Sequence, residues 1–262
     1  MLPTRRVFVD VMHPSPPRRS AFRRFSKLLA ILLSLSHFAS GQTGPPTARA
    51  AAELPPALLA ELQKKWPQNR TINLVFHGHS VPSGYHKTPE VKPFESYPQL
   101  VYQDLKRRYP HAVINVILTS IGGENSIAGA ARFERDVLCH RPDCIFIDYA
   151  LNDRKKPPGE VEAAWRSMAV SAKKHRVPVV LITPTGDSAA NLADPQDPLC
   201  QCAEIIRRVA KEENVLLADV FAAWQAEVAK GTPQTDLLSQ PNHPNLRGHT
   251  LAAEVIGRLF LK

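Results

Sequence analysis

The stretch Thr71-Ile72-Asn73-Leu74-Val75-Phe76-His77-Gly78-His79-Ser80-Val81-Pro82-Ser83-Gly84-Tyr85 decides how this chain folds. Ile72 to Phe76 is largely apolar and β-prone, which predicts a buried strand. The strand runs into small residues that carry a hydroxyl, and open α/β sheets keep their ligands at the carboxyl ends of their strands. A serine placed there can be presented as a nucleophile. It can equally do no more than cap a helix. The rest of the chain decides between the two.

Upstream, Leu58 to Trp66 reads as a short amphipathic helix. Downstream, Tyr97, Leu100, Val101, Leu105 and Tyr109 recur at helical spacing, and Ala112 to Leu118 is a second strand feeding a helix that ends near Leu138. Cys144 to Tyr149 is a third strand, Pro178 to Thr183 a fourth and Val215 to Ala218 a fifth. Helical patterns over Glu160 to Lys174 and Leu199 to Glu213 separate them, and Leu246 to Leu261 closes the chain as a helix. Strands this apolar, alternating with helices, imply an α/β fold with a parallel sheet of about five strands covered on both faces. The long loop Pro184 to Pro198 leaves a strand's carboxyl end and is expected to border a site.

A chain of 262 residues has material for one sizeable α/β domain. Its formal charge of +9 is concentrated at the start: residues 1–42 hold Arg5, Arg6, Arg18, Arg19, Arg23, Arg24 and Lys27 against Asp10 alone. The remainder carries 26 bases against 23 acids, with no basic stripe interleaved with aromatics, so nucleic acid is not an expected partner. The basic leader is followed by Leu28 to Leu35 and then by small residues around Ala39-Ser40-Gly41. That order reads as a signal peptide over residues 1–41, with Met1 or Met12 as the start. Its apolar run is shorter than the ~20 residues of a spanning helix, so no stable membrane anchor is expected after cleavage. A linker over 42–56 and a folded domain over 57–262 complete the division, and a secreted or periplasmic location follows from the leader. In such a compartment Cys139, Cys144, Cys200 and Cys202 allow three pairings. Cys200 and Cys202 stand too close in sequence to bridge each other comfortably, and Cys144 opens a strand.

The strand ends gather a chemical inventory. The first delivers Ser80, the second Gly122-Gly123, the third Asn152, and His243 stands just before the last helix. Ester hydrolysis needs a hydroxyl to attack the carbonyl, an imidazole to take and return its proton, and donors for the oxyanion. Backbone N–H groups at Ser80 and at a glycine, with the amide of Asn152, would supply three such donors.

Taken as Gly78-His79-Ser80, Gly122-Gly123-Glu124-Asn125-Ser126, Ala150-Leu151-Asn152-Asp153 and His243-Pro244-Asn245, in that order, these blocks resemble the SGNH (GDSL-type) hydrolase superfamily of esterases and acyl hydrolases. The resemblance covers about residues 70–262. It implies a three-layer α/β/α, flavodoxin-like fold, Ser80 as nucleophile, His243 as base, Gly123 and Asn152 in the oxyanion hole, and no cofactor. Two positions depart from the family pattern. His79 stands where an aspartate is usual, and Gln240 stands three residues before His243, where the family keeps its acid. Either a Ser–His dyad is oriented by Gln240 or a backbone carbonyl, or Asp236 reaches in, or the protein is catalytically weak.

The expected activity is that of a secreted serine esterase acting on small acyl esters, O-acetyl groups on carbohydrate above all. The alternatives are a lipid or lysophospholipid acyl hydrolase of the same fold and a carbohydrate-binding protein that has lost turnover. An α/β-hydrolase lipase is disfavoured, because Gly78-x-Ser80-x-Pro82 lacks the second glycine of the nucleophile elbow. Gly186-Asp187-Ser188 spells the family's literal signature, but glycine and asparagine blocks would then precede the nucleophile. His77, His79 and His86 offer imidazoles without the carboxylate spacing of a metal site. Asp153 is read as a structural acceptor, and His249 as a packing or capping residue near the last helix.

Overall fold

The computed structural model describes residues 53–261. The leader read as a signal peptide and most of the linker lie outside them. Leu54, at the end of the linker, is buried in the core.

Five strands form one parallel sheet: β1 (Thr71–Gly78), β2 (Val113–Leu118), β3 (Cys144–Asp148), β4 (Val179–Ile182) and β5 (Leu216–Ala218), in the order β2-β1-β3-β4-β5. This is the flavodoxin-like order, whose topological switch point lies between β1 and β3. In the register Val75 pairs with Ile117 on one side and Ile145 on the other, and Gly78 pairs with Asp148. A two-stranded antiparallel hairpin, β6 (Leu238–Gln240) with β7 (His243–Pro244), stands apart from the sheet and sets Gln240 opposite His243.

Nine α-helices are present among the described residues. They are α1 (Pro56–Gln63), α2 (Ser80–Ser83), α3 (Tyr97–Arg108), α4 (Ser126–Asp136), α5 (Ala150–Asp153), α6 (Pro158–Lys174), α7 (Pro198–Glu213), α8 (Val220–Ala229) and α9 (Leu246–Arg258). Alternate strand residues feed two separate cores, as a sheet with side-chain period 2 requires. Leu74, Phe76 and Phe146 pack with α1, α3, α8 and α9, whereas Val75, Ile145 and Ile147 pack with α4 and α6, and α7 contributes to both. Phe76 and Phe146 stack with ring centroids 4.4 Å apart, fixing β1 against β3 directly behind the switch point.

The strands and long helices fall where periodicity puts them, with ends displaced by local chemistry. α1 begins at Pro56, where a proline suits the first turn, and stops at Gln63, leaving Trp66 outside the helix and exposed. β1 runs two residues beyond Phe76, because Gly78 lets it approach β3: a Cβ there would stand 2.5 Å from the Asp148 carbonyl oxygen. α8 and the β6–β7 hairpin have no counterpart in the sequence reading. The apolar residues of α8 surround the helix instead of forming a stripe, which hides its period, although Asp219 caps it by accepting from Ala222 N–H. All four cysteines are free thiols, Cys139 exposed and the other three buried. No helix among the described residues is long and apolar enough to cross a membrane.

Candidate active site

β1 ends at Gly78, His79 takes non-helical dihedrals, and Ser80 opens the one-turn helix α2. Gly84 closes that turn at φ 85°, a left-handed conformation that glycine adopts without strain. Ser80 is held this way at the carboxyl edge of the sheet, 8% exposed. Its Oγ lies 2.9 Å from His243 Nε2, across 163 residues of chain. The hairpin delivers the imidazole: Ser239 Oγ donates to the His243 and Pro244 carbonyls, and Asn245 N–H donates to the Leu237 carbonyl at 3.0 Å. Burial first, and then the nearby His79 and His86, lower the His243 pKa below its ordinary value, opposed by a hydrogen bond to the His86 carbonyl. The ring is consequently kept neutral near pH 7, the state that can accept a proton.

The surroundings of His243 Nδ1 are unusual. The His86 carbonyl oxygen lies 3.1 Å away and can accept an Nδ1–H. Gln240 Nε2 lies closer, at 2.7 Å. The amide is turned this way because its Oε1 accepts the Thr88 N–H at 2.9 Å while Nε2 faces Asn242 Oδ1 at 3.2 Å. An amide N–H pointing at Nδ1 favours the tautomer with its proton on Nε2, and that tautomer cannot take the serine proton. The carbonyl of His86 favours the opposite, base-competent tautomer. Asp236 does not join the site: it is exposed, on the turn Gln234–Leu237, and its backbone carbonyl accepts from Asn245 Nδ2. The groups that face His243 Nδ1 are Gln240 and the His86 carbonyl, and no hydrogen bond or ion pair joins Asp236 to the ring.

The second and third blocks converge beside the serine. Thr119 N–H and Ile121 N–H donate to the Phe76 and Gly78 carbonyls, hanging the 119–124 turn from the end of β1. Gly123 adopts φ +78°, where a side chain would be strained, and nothing stands within 4 Å of the Cβ position. Asn152 Nδ2 donates to the Glu124 carbonyl at 2.8 Å, which ties α5 to this turn and leaves the second amide hydrogen free. Behind the turn lies a buried polar cluster that the sequence reading missed. Tyr149 Oη donates to Glu124 Oε2 at 2.9 Å, Arg132 pairs with the same carboxylate, and Tyr149 Oη lies 3.1 Å from His77 Nε2. Gly129 makes room for it, since a Cβ there would meet the Tyr149 ring at 2.4 Å. Gly129→Ala is therefore expected to cost about 1–3 kcal/mol through overpacking. Thermal unfolding should report a lower Tm, with activity reduced as the Glu124 turn shifts.

The remaining candidates separate cleanly. His77 faces Thr119, Gly129 and Tyr149, whereas His79 faces Asp148 and His86 faces Glu90. The two histidines of His-x-His do not share a face, because the strand ends at Gly78 and the chain turns. No group of three or more potential metal ligands occurs among the described residues. Asp153 accepts from Ser126 N–H and Trp165 Nε1–H, each at 2.8 Å, and serves as an internal brace. His249 Nδ1 accepts the Tyr97 N–H at the start of α3, and burial pushes its pKa down to about 3. In Gly186-Asp187-Ser188, Asp187 pairs with Arg154 at 2.7 Å and Gly186 abuts Trp224. The 184–198 loop reaches the His243 segment through Ser188 N–H, which donates to the Pro241 carbonyl at 2.8 Å. A groove of about 430 Å³ between α3 and α9 contains none of the site residues.

The family model described as GDSL-like lipase/acylhydrolase matches residues 76–251, the span from the end of β1 into α9. The chain belongs to that family. An acetylxylan esterase of Geobacillus stearothermophilus is 29% identical over 171 residues, which cover 60% of this chain and 75% of that protein. A solved acetylxylan esterase of the same organism superposes with a TM-score of 0.63 at 26% identity, covering 72% of this chain and 94% of the relative. A two-domain esterase active on acetylated mannans shares the fold, with a TM-score of 0.61 at 22% identity over 78% of this chain and 51% of its own. The three-layer SGNH hydrolase architecture and an ester-bond hydrolase of the GDSL family follow from these likenesses.

Proposed function

We propose that this protein is an exported serine esterase that removes small acyl groups, acetyl foremost, from carbohydrate. The observation that carries the mechanism is the 2.9 Å contact between Ser80 Oγ and a His243 ring kept neutral by burial. Ser80 Oγ attacks the acyl carbonyl carbon while His243 Nε2 takes the hydroxyl proton, and the His86 carbonyl holds Nδ1–H. The carbonyl π pair moves onto oxygen, where the Ser80 and Gly123 N–H groups and the free Asn152 amide hydrogen receive it. One such donor is worth about 10²–10³ in rate. Collapse breaks the bond to the sugar oxygen, which takes the proton back from Nε2, and water then repeats the sequence on the acyl-enzyme.

The acetyl-carbohydrate assignment is supported by the relatives, described as acetylxylan esterases. Export is supported by the basic and apolar leader, and N-terminal sequencing of the protein recovered outside the cytoplasm is expected to begin near residue 42. A second reading is favoured by Gln240 Nε2 at 2.7 Å from His243 Nδ1: a carbohydrate-binding protein whose base is held in the wrong tautomer.

A serine-directed fluorophosphonate separates the two. Labelling mapped to Ser80 and slowed by His243→Ala is the expected result, and a folded protein that takes no label supports the binder. Because the His243 pKa is lowered, the base stays unprotonated to lower pH than an ordinary histidine. The acid limb of kcat/KM should thus fall below about pH 6.5, the unperturbed value.

A further inference from the structure

A second imidazole faces the proposed nucleophile. His79 Nδ1 lies 3.4 Å from Ser80 Oγ, on a side chain 1% exposed. The same Nδ1 accepts the Val81 N–H at 3.3 Å, so it carries a lone pair, and the proton of the neutral ring sits on Nε2. Nε2 in turn faces Asp148 Oδ1 at 3.3 Å, with both side chains almost fully buried. The contact is close but not aligned, and neither atom has another hydrogen-bond partner. The other carboxylate oxygen accepts from Tyr97 Oη at 3.0 Å. Three aspartates are buried among the described residues. Asp153 faces Ser126 and Trp165, Asp187 faces Arg154, and only Asp148 backs an imidazole that reaches the serine.

His243 has no carboxylate behind it. In the tautomer that Gln240 favours, His243 Nε2–H donates to Ser80 Oγ, and the serine hydrogen is free to turn toward His79 Nδ1, 3.4 Å away. We propose that His79, backed by Asp148, is a second general base for Ser80, an inference that rests on the reading of Ser80 as the nucleophile. In this step the Ser80 proton passes to His79 Nδ1, which gives up the 3.3 Å hydrogen bond from Val81 N–H, Oγ bonds to the acyl carbon, and the carbonyl π pair moves onto its oxygen. Collapse then expels the leaving group with its electron pair. The imidazolium so formed keeps both protons, and its Nε2–H tightens onto the Asp148 carboxylate, as catalytic hydrogen bonds that are slack at rest commonly do. The His79 ring is buried away from solvent, so it serves leaving groups that depart as anions, aryloxide or fluoride. An alkyl ester still needs His243 to protonate its oxygen.

The test compares the unsubstituted protein with His243→Ala, His243→Ala/His79→Asn and His243→Ala/Asp148→Asn. The assays are the fluorophosphonate labelling rate at Ser80, the acylation burst with p-nitrophenyl acetate, and hydrolysis of acetylated xylooligosaccharide. Asparagine at 79 keeps an acceptor for the Val81 N–H and at 148 keeps one for Tyr97. Thermal unfolding verifies each fold, and either double variant alone decides the question if the other does not fold. Expected is that His243→Ala loses the alkyl ester but still labels at least 10-fold faster than the double variants. Equal labelling by His243→Ala and a folded double variant overturns the second base. Absence of label in the unsubstituted protein overturns the nucleophile reading itself.

Discussion

Ser80→Ala is expected to lower kcat on an acetyl ester by about 10²–10⁴ while leaving sugar binding and the fold intact. In a complete serine triad, loss of the nucleophile costs about 2 × 10⁶ in kcat, and loss of the acid's tautomer control alone costs about 10⁴. This site begins without that acid: Gln240 stands in its place, and the His86 carbonyl at 3.1 Å recovers part of its role. Less acceleration is present to be removed, which is why the expected fall is smaller than for a complete triad. The Ser80 Oγ faces the His243 and His79 rings and bonds to no backbone group, so alanine leaves the turn's backbone hydrogen bonds undisturbed. Steady-state kinetics with a binding titration on the same variant measures both halves of the expectation.

Gln240→Glu is expected to act in the opposite direction and raise kcat/KM by about 10–10², a part of the roughly 10⁴ that tautomer control can be worth. Glutamate matches the shape of glutamine, so one carboxylate oxygen keeps the Thr88 N–H at 2.9 Å while the other replaces Nε2 at 2.7 Å from His243 Nδ1. The donor that favoured the wrong tautomer becomes an acceptor that selects the right one, and Asn242 turns its amide to donate. A carboxylate there also favours the charged imidazolium, which raises the His243 pKa from its lowered position. The base is then protonated at higher pH than before. Accordingly, the acid limb of the pH–rate profile should move up in pH even as the plateau rises, and the two changes together distinguish tautomer control from a simple gain in substrate affinity. An unchanged plateau and limb would show that the His86 carbonyl already holds the ring fully.

Much of this was legible in the chain before its structure. The two-sided apolar character of Leu74 to Phe76, Cys144 to Tyr149 and Pro178 to Thr183 encodes a covered parallel sheet, because each neighbour along such a strand must find its own core. Ser80 and His243 were legible because strand ends and the start of the last helix have chemical signatures of their own. The helix α8 was not, since Val220, Phe221 and Trp224 sit among alanines that erase the periodicity. For the partner of His243 Nδ1 the sequence leaves Gln240, a backbone carbonyl and Asp236 open. A carbonyl carries no residue-type signature, and its owner, His86, is 157 residues away. The Glu124–Arg132–Tyr149 cluster escaped for a similar reason, as its members come from three separate segments and meet only when α4 packs against the end of β3. The same holds for Asp148, which at the sequence level is one polar residue ending an apolar strand.

The most direct measurement is acetate release from acetylated xylooligosaccharide, set beside hydrolysis of a decanoyl ester, by the unsubstituted protein and by Ser80→Ala. Acetate release that depends on Ser80 is expected, with the long acyl chain turned over at least about 10²-fold more slowly. Acetate release that survives Ser80→Ala, or a preference for the decanoyl ester, would contradict it.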